Sequence, residues 1–328
     1  MTTSTLFNNI ANRRVATNGI MLNIAEQKPA MPKSLVVLLH GFPESWYSWR
    51  HQFQPLAEAG YHVVAPDMRG YGDSDKPSEI EAYNQFEVRK DIVGLVAALG
   101  YEQAVVIGHD WGAPTAWACA LHEPDVFNAV GALSVPFSPR SDSPPLATIK
   151  KIFEGRFFYQ LYFQQPGVAE AEFEADVRTS LKKFYHMASG QMNAEFLTEK
   201  SPDADLLSDF EEPSATGDWL SESDLDFYTS EFARSGFRGP LNYYRNMDLS
   251  WELTKDARST IDQPALFLAG DKDGVIAMTG PALENMPNYV TDLRVKKLIP
   301  GIGHWTQQEA PTETNQAILS WLETLDQM

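Results

Sequence analysis

Residues 104–112 read Ala-Val-Val-Ile-Gly-His-Asp-Trp-Gly. A short apolar run rich in β-branched residues passes straight into a turn with glycine on both sides, and PTAWACALHEP then takes up helical periodicity. The run reads as a strand buried on both faces, and the small residues allow a sharp strand-to-helix turn. Such a turn holds its middle side chain, here Asp110, out at the strand's end.

The same buried-strand pattern recurs on both sides, in LVVLLHGF (35–42), HVVAPD (62–67), AVGALSV (129–135), PALFLAGD (264–271) and LRVKKLIP (293–300). Ahead of them, VATNGIMLNIAE (15–26) places alternating runs around Asn18-Gly19, a strong hairpin turn. Helical periodicity fills the gaps, as in EVRKDIVGLVAALG and TETNQAILSWLETL. Strands alternating with helices across short turns predict an α/β fold with a mostly parallel central sheet flanked by helices.

The alternation stops after Pro136. Up to about residue 250 there is no buried-strand signal, only helix formers, aromatics and polar loops. We expect core over 1–139, an inserted all-helical cap over 140–247 and core again over 248–328. Loops after parallel strands line the ligand crevice, so an insertion there should roof it. Within it, Glu195 to Asp226 holds eleven acids and one base, Lys200, and reads as a solvated surface.

The whole chain has 328 residues, 26 Lys+Arg and 44 Asp+Glu, for a net charge of −18. That balance argues against nucleic-acid and anionic-membrane partners. The 296 residues outside the acidic stretch sum to only −8, so the acidity describes one surface and a neutral substrate is expected. No apolar run approaches about 18 residues, the start lacks an apolar signal-peptide region, and the final Asp-Gln-Met is no peroxisomal address, so a cytoplasmic location is expected. A monomer and a homodimer are both compatible with the sequence. One cysteine, Cys119, offers no internal disulfide, and no His-Glu-x-x-His or paired-cysteine pattern supports a metal or other cofactor.

The turn residue decides the chemistry. A hydroxyl at that place would attack an acyl carbon with the help of a base. A carboxylate is already ionised and attacks an sp³ carbon, forming an alkyl ester. The plain alternative for Asp110 is a helix cap. An ester needs a route out. His304, in Gly-Ile-Gly-His-Trp after the last strand, can deprotonate a water. Asp273, after the preceding strand, can orient the imidazole, with Asp271 as the rival acid. The chain order 110, 273, 304 is nucleophile, acid, base. At the end of the first buried strand, His40-Gly41-Phe42-Pro43 offers the Phe42 N–H, which with the Trp111 N–H would form an oxyanion hole. His40 and His109 should brace this loop.

HGFPESWYSWR (40–50), DMRGYGDSD (67–75), GHDWGAP (108–114), YQLYFQQPGVAEAE (159–172), SGFRGPLNYYRNM (235–247) and GIGHWTQQEAPTETNQAILSWL (301–322) resemble the α/β-hydrolase-fold epoxide hydrolases, especially the hydrolase half of the soluble type. The resemblance runs over nearly the whole chain. It implies conversion of an epoxide and water to a vicinal diol without a cofactor. It also implies two cap tyrosines that bind the epoxide oxygen, matching Tyr159 and Tyr244, with Tyr162 and Tyr243 as close neighbours that a slip could confuse with them. Expelling an alkoxide needs a weak acid, and a phenol with pKa about 10 suits that role. Aromatics such as Trp46, Phe158 and Trp305 suggest a lipophilic small-molecule epoxide.

Two other readings share parts of this pattern. A haloalkane or haloacid dehalogenase on the same fold would use the Asp nucleophile, and Trp111 could bind halide, but paired tyrosines would have no purpose. A non-catalytic small-molecule receptor would have no need to keep nucleophile, acid and base together.

Overall fold

The computed structural model describes residues 9–192 and 200–326. Eight strands form one sheet: β1 (Ala11–Thr17), β2 (Ile20–Gln27), β3 (Leu35–Leu39), β4 (His62–Pro66), β5 (Ala104–His109), β6 (Phe127–Leu133), β7 (Ala265–Gly270) and β8 (Leu293–Ile299). Their order is β1-β2-β4-β3-β5-β6-β7-β8, with β1, β2 and β4 joined antiparallel and all remaining neighbours parallel. The hairpin turns at Asn18 and Gly19, both at positive φ (41° and 76°), which lets Thr17 pair with Ile20.

Every residue of β3, β4, β5 and β7 is buried, which is why they read as continuous apolar runs. The strand expected at 293–300 is different. β8 has only β7 beside it, and Lys296, Lys297 and Leu298 are exposed. It is an edge strand, where lysines discourage pairing with another chain.

Helices α1 (Phe53–Glu58), α2 (Gln85–Ala98) and α3 (Gly112–His122) connect the first strands and pack on the sheet. In α2 the Asn84 side chain accepts the N–H groups of Phe86 and Glu87, and Val88, Ile92, Leu95 and Val96 form the buried face.

Between β6 and β7 lie α4 (Pro145–Ile152), α5 (Tyr159–Tyr162), α6 (Val168–Ala175), α7 (Val177–Ala188), α8 (Glu222–Ser235), α9 (Arg238–Arg245) and α10 (Met247–Leu253), with no strand among the described residues. After β7 come α11 (Gly274–Asn285), β8, α12 (Thr306–Glu309) and α13 (Pro311–Leu325). The helical segment meets the core at the loop after β3. The Phe42 ring has Phe163, Phe173, Phe184 and Tyr244 edge-on, with centroids 5.4–5.7 Å away.

The first part of the acidic stretch, 195–199, lies outside the described residues. Further on, Glu222 and Asp226 are exposed and pair with Arg178. Asp224 departs from the solvated reading. It is buried against the segment that follows β3, accepting the Tyr47 hydroxyl at 2.8 Å and pairing with Arg50 at 3.2 Å. Among the described residues, no helix is long and apolar enough to cross a membrane.

Candidate active site

β5 delivers Asp110 to a turn that only small neighbours permit. Asp110 sits at φ +48°, a left-handed conformation that costs a non-glycine residue about 1–3 kcal/mol. A Cβ on Gly108 would collide with the backbone of Gly112, and one on Gly112 with the backbone of Leu39. The Asp110 carboxylate does not cap α3. Its Oδ1 accepts the Phe42 N–H at 2.7 Å, and its Oδ2 lies 3.3 Å from His304 Nε2. Gly41 has to be glycine for this approach, because a Cβ there would overlap the carboxylate.

His304 Nδ1 lies 3.1 Å from each oxygen of Asp273. Asp273 follows β7, is buried, and also accepts the Val275 N–H at the start of α11. The rival, Asp271, is exposed and accepts the Gly301 N–H at 2.7 Å, which ties the turn after β7 to the turn after β8. Burial alone would lower the His304 pKa. The charge of Asp273 and the hydrogen bond to Asp110 outweigh burial and raise it well above that of an exposed imidazole. Burial would raise Asp110, and the His304 hydrogen bond and charge bring it below the usual carboxylate value.

Two further groups fix the loops. His40 accepts the Met68 N–H on Nε2, so its Nδ1 donates to Gly41 O. His109 places Nδ1 2.8 Å from Glu44 Oε2 and Nε2 2.7 Å from the carbonyl of His304. Glu44 is fully buried and also accepts from Gly41 N, Gln307 Nε2 and Gln308 Nε2. The His304 carbonyl takes a second bond from the Ser134 hydroxyl at 3.0 Å, and Ser134 is another left-handed residue, at φ +71°. Sequence reading missed Glu44 and Ser134. Glu44, two residues past Phe42, is adjacent enough to the loop motif to have been suspected, whereas Ser134 gives no local signal.

Tyr159 and Tyr244 line one cavity together with Asp110, Asp273 and His304. Their ring centroids are 6.0 Å apart and nearly perpendicular. Burial first, and then the charge of Asp110, raises both phenols above their ordinary pKa, so both keep their protons at neutral pH. The near neighbours are engaged elsewhere. The Tyr243 hydroxyl donates to Arg69 O at 2.9 Å, and the Tyr162 hydroxyl to Glu172 at 2.9 Å. The Trp111 ring meets Tyr244 edge-on at 5.0 Å.

The cavity holds ≈ 680 Å³ of empty space, its open mouth included, and its wall is mostly apolar: Phe42, Phe184, Met187, Met192, Leu206 and Met278. Trp46, Phe158 and Trp305, expected against substrate, are not part of that wall. Trp46 packs edge-on to Phe53 and Phe227, and Phe158 stacks on Phe153 at 3.9 Å. Trp305 is fully buried and donates its indole N–H to Tyr185 O. Their apolar surface goes into packing, as most aromatic surface does. Among the described residues, no group of three or more His, Cys, Asp or Glu is placed to hold a metal.

A family model described as alpha/beta hydrolase fold matches residues 34–311. Epoxide hydrolase A of Mycobacterium tuberculosis is 43% identical over 96% of this chain and 98% of its own length. The bifunctional epoxide hydrolase 2 of Mus musculus is 41% identical over 88% of this chain and 51% of its own. Among solved structures, an epoxide hydrolase from an endophytic Streptomyces superposes with TM-score 0.94 at 43% identity, covering 98% of this chain and 97% of that one.

Proposed function

The chain belongs to the α/β-hydrolase-fold epoxide hydrolases, and from that premise we propose that it converts a lipophilic epoxide and water to a vicinal diol through an ester on Asp110. The observation that carries the mechanism is the Asp110 carboxylate in one cavity with two protonated phenols and an Asp-paired histidine.

Asp110 Oδ1 is engaged by the Phe42 N–H, which leaves Oδ2 to attack an epoxide carbon. The C–O bond of the ring breaks as the new C–O bond forms. Tyr159 and Tyr244 hydrogen-bond the ring oxygen, and one of them gives it a proton. His304, protonated while flanked by two carboxylates, returns a proton to that phenolate. Esterification removes the Asp110 charge that helped hold the proton, so the imidazole becomes a competent base. Neutral His304 then takes a proton from water, and the hydroxide adds to Asp110 Cγ. The oxyanion forms on Oδ1, stabilised by the N–H groups of Phe42 and Trp111. Collapse expels the diol oxygen, which takes up the proton of the added hydroxyl, and so restores the Asp110 carboxylate beside the His304 imidazolium.

In this reading the helices over 140–247 act as a cap, supplying the tyrosines and much of the apolar wall that suits a lipophilic epoxide. The paired tyrosines favour epoxide opening over dehalogenation, in which halide leaves without a proton. A single turnover of styrene oxide in ¹⁸O-water, with enzyme in excess, tests the ester. The first diol should carry no label, because its new oxygen comes from Asp110, and label in that diol would overturn the ester route.

A further inference from the structure

Glu309 lies in α12, five residues past His304. Its Oε2 accepts the N–H of Gly190 at 2.9 Å and of Gly303 at 3.1 Å, and its Oε1 accepts the N–H of Trp305 at 3.1 Å. Gly303 and Trp305 flank His304 in sequence. Gly190 follows α7, and the end of that helix (Met187 and Ala188) lines the cavity together with Ser189 and Met192 beyond it. A second link runs directly between the two segments, from the His304 N–H to Ala188 O at 2.8 Å. The backbones are too close for side chains. A Cβ on Gly303 would run into Gly190 N and Ser189 C, and a Cβ on Gly190 into Gly301 O.

We infer that Glu309 is a positioning residue whose carboxylate fixes the His304 loop against the cavity wall, so that the base is correctly set for the water-activating step. The inference rests on the proposed ester mechanism. Both carboxylate oxygens act as acceptors for backbone donors, and all three donors belong to segments that must hold one geometry for catalysis. Replacing one oxygen by an amide NH₂ keeps the shape and sets a donor against a donor. Attack by Asp110 does not use the imidazole, whereas ester hydrolysis does. Misplacing His304 should therefore slow the second step selectively.

The test is rapid-quench of wild type and Glu309→Gln with styrene oxide, following the covalent ester by intact mass and the diol by chromatography. For Glu309→Gln we expect ester formation within about threefold of wild type and ester hydrolysis slower by about tenfold or more. Ester should then accumulate, and kcat and KM should fall together. A loss of both steps in equal proportion, or an unchanged ratio of the two rates, overturns the inference, since a merely structural role changes only the amount of folded enzyme. Glu309→Asp, which keeps both acceptor oxygens one methylene short, is read by the same ratio and decides the matter if the amide variant does not fold. It should show the same selective slowing, to a smaller degree, and an unchanged ratio overturns the inference. A wild type that forms neither ester nor diol overturns the proposed function itself, and is distinct from a wild type that turns over beside a variant with unchanged partitioning.

Discussion

Asp110 accepts the backbone N–H of Phe42 through Oδ1 at 2.7 Å, and that contact makes its two carboxylate oxygens unequal. One oxygen lies in the proposed oxyanion site and the other faces His304. The proposed attack and the proposed hydrolysis therefore use one fixed orientation of the side chain. Asp110→Ala should lower diol formation by about 10⁴-fold or more, with no covalent adduct detectable by intact mass. An adduct on this variant would point to another nucleophile.

The two cavity tyrosines should share the activation of the ring oxygen. Tyr159→Phe and Tyr244→Phe should each lower kcat/KM for styrene oxide, and the double variant should lose about 10²–10⁴-fold. Tyr243→Phe is the control. Its hydroxyl donates to Arg69 O, so its loss should cost stability of about 1 kcal/mol in a denaturant titration and leave kcat/KM nearly unchanged.

Asp273 contributes the leading charge that raises the His304 pKa against burial. Asp273→Asn should lower that pKa, which the imidazole resonances report in an NMR titration. It should also slow ester hydrolysis by about tenfold or more while Asp110 still forms ester. An unchanged imidazole pKa would leave the assignment of the acid without support.

Stability should depend on pH through the same histidine. Its pKa is raised in the folded protein above the value of about 6.5 expected when unfolded. The stabilisation it confers is complete below about pH 6.5 and is lost as pH rises through the raised folded value. The Tm of wild type minus that of His304→Gln should accordingly decline as pH rises above about 6.5. A constant difference over that rise would mean that the imidazole is not held charged.

The α/β architecture, the hairpin, the turn at Asp110 and the position of His304 were legible in the residue order, because each depends on neighbours in sequence. Apolar runs mark buried strands, and small residues mark the places where backbones touch, such as Gly108 and Gly112. The choice between Tyr243 and Tyr244 came in the sequence only from resemblance. In the structure it is geometric: successive residues on α9 point about 100° apart, one to Arg69 and the other into the cavity. Only the tertiary structure buries Asp273 while leaving Asp271 in solvent, gathers four donors on Glu44, and sets Ser134 and His109 on the carbonyl of His304. It also turns Trp46, Phe158 and Trp305 into packing and hands the cavity wall to Phe184, Met187 and Met192. Those assignments join residues far apart in the chain, and which way an aromatic or methionine side chain points is set by the neighbours it packs against, which no local pattern records.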